Sequence, residues 1–262
     1  LNFDYYQLYD VNPTRTKEIK SKFKKKIITA ITVSTKDDVI KYKGYSEISD
    51  IIFNLAGQTS HLDSMEDPLT DLDINCRSQI TILEACKNYN PNVKIVFAST
   101  RQIYGKPIYL PVDENHPIQP IDVNGINKFA GESYHILYHN VYGINSTVLR
   151  LTNTFGQKMR IKDSKQTFLG IWLRNVLENK PICIYGDGSQ LRDLNYIDDV
   201  VNALLMVALY SKSNGKVYNL GSKEIISLND LAEKLTQANG SGVIEKKQFP
   251  KKLKKIDIGN YY

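Results

Sequence analysis

The chain has 262 residues, of which 42% are hydrophobic, 10% aromatic and 24% charged, proportions of a folded globular protein rather than a disordered, collagenous or disulfide-scaffolded one. Its longest uncharged apolar stretches, such as residues 51–55 and 95–98, fall far short of the ~18–20 residues that cross a bilayer, so no membrane partner is expected. The formal net charge of +6 is concentrated in residues 15–26, with a net of +6, and residues 245–257, with a net of +4, which leaves the remainder mildly acidic; neither run interleaves aromatics as a nucleic-acid reader does, and no nucleic-acid partner is expected.

The first fifty residues read as two short strands, one over 5–9 ending at Asp10 and one over 27–33, with no glycine-rich phosphate loop before either. From Asp50 onward short apolar runs alternate with longer amphipathic ones, the pattern of a parallel sheet wrapped by helices. Residues 51–56 form a buried strand ending at Gly57, and the spacing of Leu72, Ile74, Ile80, Leu83, Ala85 and Cys86 predicts a helix over 71–88. After the breaker Asn90-Pro91 comes a strand over 94–99, then a proline-rich loop over 106–120, a helix over 124–142 capped by Gly143, and a strand over 146–151. Past Gly156 the rhythm changes to a helix over 168–178, a strand over 182–185, the turn Gly186-Asp187-Gly188, and helices over 197–210 and 228–239. The expected class is α/β, with a smaller C-terminal portion on the carboxyl edge of the sheet, where open α/β sheets place ligands.

Cys76, Cys86 and Cys183 are odd in number and fall into no CxxC or Cys/His spacing, so neither a disulfide framework nor a metal site is expected. The chain opens on Leu1 with neither an initiator Met nor a basic-then-apolar leader; this suggests an internal piece of a longer, cytoplasmic chain.

Four segments carry chemistry. Asn54-Leu55-Ala56-Gly57 ends a strand in small residues, where backbone can approach a ligand closely. Phe97-Ala98-Ser99-Thr100-Arg101-Gln102-Ile103-Tyr104-Gly105 runs from a strand through a hydroxyl residue to Tyr-Gly four and five positions later. Asn124-Gly125-Ile126-Asn127-Lys128 opens a helix with Asn124 and Lys128 one turn apart on the same face. Tyr185-Gly186-Asp187-Gly188-Ser189-Gln190-Leu191-Arg192-Asp193-Leu194-Asn195-Tyr196-Ile197-Asp198-Asp199 is the most specific of the four.

In this order the segments resemble the extended short-chain dehydrogenase/reductase family of nucleotide-sugar epimerases and dehydratases, of the UDP-glucose 4-epimerase type, over about residues 6–262. The resemblance implies a Rossmann-like doubly wound sheet over 1–156, lacking its first strand and glycine loop, and a substrate-binding portion over 157–262 that is partly interleaved with it. It implies NAD as cofactor, held by Asp10, Leu55, Ala56, Gly57 and Lys128, and a nucleotide-diphosphate sugar as substrate, held by Asn153, Arg192 and Tyr104. Thr100 takes the role of the hydroxyl that bonds the reacting sugar oxygen. A homodimer through a bundle of the helices over 71–88 and 124–142 is also implied.

Two departures have chemical content. Where the family carries a tyrosine whose phenol is activated by the lysine, this chain has Asn124; lowering a phenol from ~10 to near 7 takes about 4 kcal/mol of differential stabilisation, whereas a carboxamide has no proton to exchange in this range. Asn124 can orient substrate but not deprotonate it, so either another group carries the proton, with Thr100, Tyr104 and His61 as candidates, or the protein does not perform the family's usual oxidation. Where family dehydratases carry an acidic pair after the hydroxyl residue, the chain has Arg101 and Gln102, and neither serves as a carboxylate base. An epimerase is therefore expected before a 4,6-dehydratase, with a catalytically inactive nucleotide-sugar-binding homologue as the alternative from another class.

Overall fold

In the computed structural model, residues 6–10, 28–32, 39–161 and 167–262 are described. The first two strands, β1 (Tyr6–Asp10) and β2 (Ile28–Thr32), pair in parallel with each other as a separate two-stranded sheet. After α1 (Val39–Ser46) and β3 (Ile51–Asn54) come two short helices, α2 (His61–Glu66) and α3 (Pro68–Leu72), a π-turn at Asp73–Arg77, and α4 (Ser78–Tyr89). The expected single helix over 71–88 is thus divided. The wide turn directs Asn75 inward beside α5 (Val123–Tyr142), where a side chain on Gly131 would strike the Asn75 carbonyl at 2.6 Å; one extra residue per turn is a common local solution at functional sites.

Between α4 and α5 lie β4 (Lys94–Thr100) and a 3-10 turn, Arg101–Tyr104. The chain continues through β5 (Asn145–Leu151), β6 (Asn153–Phe155), α6 (Phe168–Leu177), β7 (Ile182–Tyr185), β8 (Leu191–Tyr196), α7 (Ile197–Leu209), β9 (Val217–Leu220), β10 (Ile225–Ser227), α8 (Leu228–Asn239), β11 (Ile244–Lys247) and α9 (Lys251–Lys254).

The main sheet is parallel, in the order β3-β4-β5-β9. Alternation along β4 assigns its two faces. Ile95 packs with Leu83 and Tyr138 of α4 and α5, while Val96 packs with Val200 and Leu204 of α7, so helices cover both faces of the sheet. The outer edge of β3 has no hydrogen-bonded neighbour among the described strands, and β1 does not pair with it. β6 and β8 run parallel and β10 antiparallel in a three-stranded sheet, and β7 pairs with β11. A second core of Leu169, Trp172, Ile184 and Leu231 holds this smaller portion together. Residues 197–220 return to the main sheet through α7 and β9.

Candidate active site

β4 delivers Thr100 to the carboxyl end of the main sheet. The Thr100 Oγ1 accepts a hydrogen bond from the Gln102 amide at 3.2 Å and caps the 3-10 turn, while its own O–H meets no acceptor among the described residues. Gln102 is consumed by structure: its Nε2 donates to Asp122 Oδ2 at 2.8 Å. Asp122 is the N-cap of α5, accepting from the Gly125 amide at 2.7 Å, and His61 Nδ1 lies 3.0 Å from its other oxygen. Burial alone would raise the Asp122 carboxyl, but the partners His61, Gly125 and Gln102 outweigh it and hold it low. The helix that carries Asn124 and Lys128 is therefore tied directly to the turn after Thr100.

α5 turns an unusually polar face inward: Asn124, Asn127, Lys128, Glu132 and His135 are all buried. Lys128 Nζ donates to the Ala98 carbonyl at 3.1 Å, two residues before Thr100, and stands 4.9 Å over the Phe97 ring. No carboxylate among the described residues lies within ion-pair distance of it; burial pushes the ammonium down to about 8, against an opposing pull from Asp71. The absent side chain of Gly57 makes room for it, since a β-carbon there would stand 2.7 Å from Nζ. Leu55 and Ala56, just before Gly57, are exposed.

Asn124 is locked by a carboxyl group that the sequence reading did not single out. Its Nδ2 donates to the Gln58 carbonyl at 2.7 Å and to Asp71 Oδ2 at 3.3 Å. Both partners are acceptors, which sets the amide's orientation, and no donor among the described residues reaches its Oδ1. Asp71 is itself buried and also accepts from Ser64, Asn75 and Asn127. The signal for this network was present as Asp71 and Asn75, polar residues four apart on the inward side of a helix.

The expected substrate residues divide into two groups. Asn153 and Arg192 lie on the neighbouring strands β6 and β8. Arg192 is buried, its Nη1 donating to the Leu191 carbonyl at 2.8 Å and to the Gly259 carbonyl, and its Nη2 standing 3.9 Å from Asp257. Burial, followed by the neighbouring charge of Arg101, pushes it down to about 10. Tyr104, the third, lies on the 3-10 turn after Thr100. It has no exposed surface, and its hydroxyl donates to Asn219 Oδ1 at 2.7 Å while accepting from Arg150 Nη1 at 2.5 Å. Arg150 in turn pairs with Glu132, which also accepts from Ser99 Oγ at 2.9 Å. The phenol belongs to a buried chain beneath the site. Asp10 closes β1, but its side chain lies outside the described residues.

Residues 6–221 match the family model described as NAD dependent epimerase/dehydratase family. A Methanocaldococcus jannaschii protein with the provisional name UDP-glucose 4-epimerase is 39% identical over 196 residues, covering 74% of this chain and 61% of its own length. The CDP-paratose 2-epimerase of Salmonella typhi is 28% identical over 202 residues, covering 69% and 60%. The chain thus spans about three fifths of the length of these relatives. A dTDP-glucose 4,6-dehydratase double mutant from Streptomyces venezuelae, solved with NAD bound, superposes with a TM-score of 0.86 at 18% identity, covering 100% of this chain and 79% of the other; at that identity the likeness is one of fold.

Proposed function

Because the chain belongs to the NAD-dependent epimerase/dehydratase family, we propose that it acts as an NAD-dependent epimerase on a nucleotide-diphosphate sugar, by transient oxidation at one sugar carbon. One observation carries the reading: Lys128 anchors to the strand that ends at Thr100, its ammonium bonded to the Ala98 carbonyl two residues earlier, and the hydroxyl proton of Thr100 meets no acceptor among the described residues. The residues fit the nicotinamide-ribose end of NAD. Exposed Leu55 and Ala56 form a shelf that ends at Gly57, and there the missing side chain opens onto Lys128. Asp10 is the expected partner of the adenosine ribose; among the described residues none forms a glycine-rich phosphate cradle.

When bound, NAD supplies the two-electron acceptor for the hydride that leaves and returns at the sugar carbon. This chain's own residues handle the proton. Thr100 Oγ1 takes the hydroxyl proton of the reacting carbon and passes its own toward Lys128, whose amine near 8 has a neutral fraction at working pH that a surface lysine lacks. Asn124, with Oδ1 open and Nδ2 held, orients a sugar hydroxyl. Asn153 and Arg192 hold the nucleotide sugar from the smaller portion. Against the 4,6-dehydratase reading stands Gln102, an amide already spent on Asp122 where an acid would be needed.

The test supplies the chain with NAD and a panel of UDP-, dTDP-, CDP- and GDP-sugars and follows the products by NMR. One sugar should reach a mixture of epimers with no net oxidation. Loss of water to a keto-deoxy sugar would make the protein a dehydratase, and binding without turnover a non-catalytic homologue.

The partner we infer is a second copy of the chain, docked through α4 and α5: on α5, Ile126, Leu137 and Val141 are exposed at helical spacing as one apolar stripe. The three free thiols of Cys76, Cys86 and Cys183 suit a reducing, cytoplasmic setting. Among the described residues no helix is long and apolar enough to cross a membrane.

A further inference from the structure

We propose that Arg101, together with Asn153, recognises a carboxylate carried by the sugar, so that the preferred substrate is a nucleotide-activated uronic acid or another acidic sugar. The inference rests on the nucleotide-sugar reading above and narrows it.

Arg101 follows Thr100 directly and opens the 3-10 turn, so its side chain starts beside the reacting centre. It reaches across to the smaller portion, its Nη2 donating to Asn153 Oδ1 at 3.3 Å and its guanidinium lying 4.9 Å over the Tyr261 ring. Nη1 is closed off from solvent and has no partner, and the same holds for Asn153 Nδ2. Burial pushes the Arg101 guanidinium down, with Tyr261, Asp193 and Asp257 pulling the other way, yet no acidic oxygen among the described residues pairs with it. Two buried donors side by side, one on a fixed cation, lack an acceptor. Buried donors are almost always satisfied, and a guanidinium fork beside an amide N–H is the geometry that takes a carboxylate through charge-assisted bonds.

Position separates the sugar from the diphosphate as the source of that anion. Arg101 is the next residue after the hydroxyl assigned to the reacting carbon, whereas Arg192, which the family resemblance implies contacts the diphosphate, has its Nη1 engaged by two backbone carbonyls. Asp193 Oδ1 is also buried without a partner, and burial, opposed by Arg101, raises that carboxyl. Of the two carboxyls that pull on Arg101, Asp257 faces Arg192 whereas Asp193 has this oxygen free to compete for Arg101, and the test must include it.

The experiment measures calorimetric binding, with NAD present, of pairs that differ only at C6: UDP-glucuronate and UDP-glucose, UDP-galacturonate and UDP-galactose, GDP-mannuronate and GDP-mannose, with UDP and GDP alone. The wild type should prefer an acidic member by about tenfold or more, as one charge-assisted bond supplies. Arg101→Met keeps the packing on Tyr261 and should erase the preference, while the neutral sugar binds within a few-fold of wild type. Asn153→Asp places an acceptor against Arg101 and should raise the melting temperature while abolishing the acidic preference; this second variant decides the matter if Arg101→Met folds poorly. Asp193→Asn should leave the preference in place. Equal binding of acidic and neutral sugars by the wild type overturns the proposal, as does an Arg101→Met variant that weakens UDP, UDP-glucose and UDP-glucuronate alike, which would put Arg101 on the diphosphate. A wild type that binds no nucleotide and no nucleotide sugar overturns the nucleotide-sugar reading itself.

Discussion

Gly57 and Lys128 share one space: a β-carbon on the glycine would stand 2.7 Å from the lysine Nζ and 3.1 Å from Asn75 Oδ1. The nearest atom is the tip of a flexible side chain rather than backbone, so Gly57→Ala moves the ammonium without disturbing the fold. The melting temperature should stay within a few degrees of wild type. Turnover should fall by on the order of 100-fold, the usual cost of misplacing a reacting group by about an ångström. Paired thermal melts and rate measurements decide this; early melting at full turnover would make Gly57 a packing residue only.

Lys128 and Lys94 make the stability of the protein depend on alkaline pH. Each is pushed down to about 8 by burial, from an ordinary value near 10.5. Between those two values the unfolded chain binds more protons than the folded one, so stability rises with pH from about 8 to 10.5 and is lowest, and flat in this respect, below 8. Lys128→Met should remove its share of that rise. At pH 7 it should melt above wild type while losing turnover, the exchange of stability for activity common at active sites. Melts from pH 7 to 10 on both proteins provide the check, and a Lys128→Met variant with an unchanged pH profile would count against a buried cation at this position.

The elements around the site are legible where their signals are local. The apolar run of β4 and the helix over 124–142 agree with Lys94–Thr100 and Val123–Tyr142 to within a residue, because burial and the caps Asp122 and Gly143 are written next to them. β6, β9, β10 and β11 have three or four residues each and are half-buried or exposed, and pairing with distant strands defines them more than their own composition does. The same separation hid much of the site. Asp71 reads as an ordinary polar helix position until Asn124 and Asn127, more than fifty residues on, close around it. Arg101 was visible as a departure from the family pattern, but its partners Asn153 and Tyr261 come from a different sheet and from the last residues of the chain. The spacing of the Tyr-Gly pair carries no information on which way the 3-10 turn buries Tyr104, because its partners Arg150 and Asn219 lie 46 and 115 residues further on.

The buried chain through Tyr104 should behave as structure. Glu132 and Arg150 are both almost wholly enclosed, so Glu132→Ala leaves a guanidinium without its counter-charge and should cost about 3–5 kcal/mol in denaturant unfolding. Tyr104→Phe leaves Arg150 and Asn219 each short of one hydrogen-bond partner, a loss of about 1–3 kcal/mol, with kcat unchanged. A Tyr104→Phe variant with full stability and impaired turnover would return the phenol to the substrate side.

Asn124 and Thr100 should fail in opposite ways. Asn124 is buried, and its Nδ2 satisfies both the Gln58 carbonyl and Asp71. Asn124→Tyr removes both bonds and inserts a ring into filled space, so the phenol familiar from the family's pattern does not reach the position it would need beside Lys128. Stability should drop by about 1–3 kcal/mol from overpacking, with a similar loss for each acceptor left bare, and turnover should fall. Thr100→Val loses the hydroxyl that caps the 3-10 turn, worth about 1 kcal/mol by analogy with helix caps, but gives up no donated bond, since its O–H meets no acceptor among the described residues. It should fold nearly as well as wild type and lose turnover by on the order of 100-fold or more, the contribution of a positioned acid-base group. Epimer interconversion and denaturant unfolding measured on both variants separate the two outcomes. A stable Asn124→Tyr protein that turns over faster than wild type would mean that the Asp71 network yields to a phenol, and that Asn124 limits the reaction instead of shaping it.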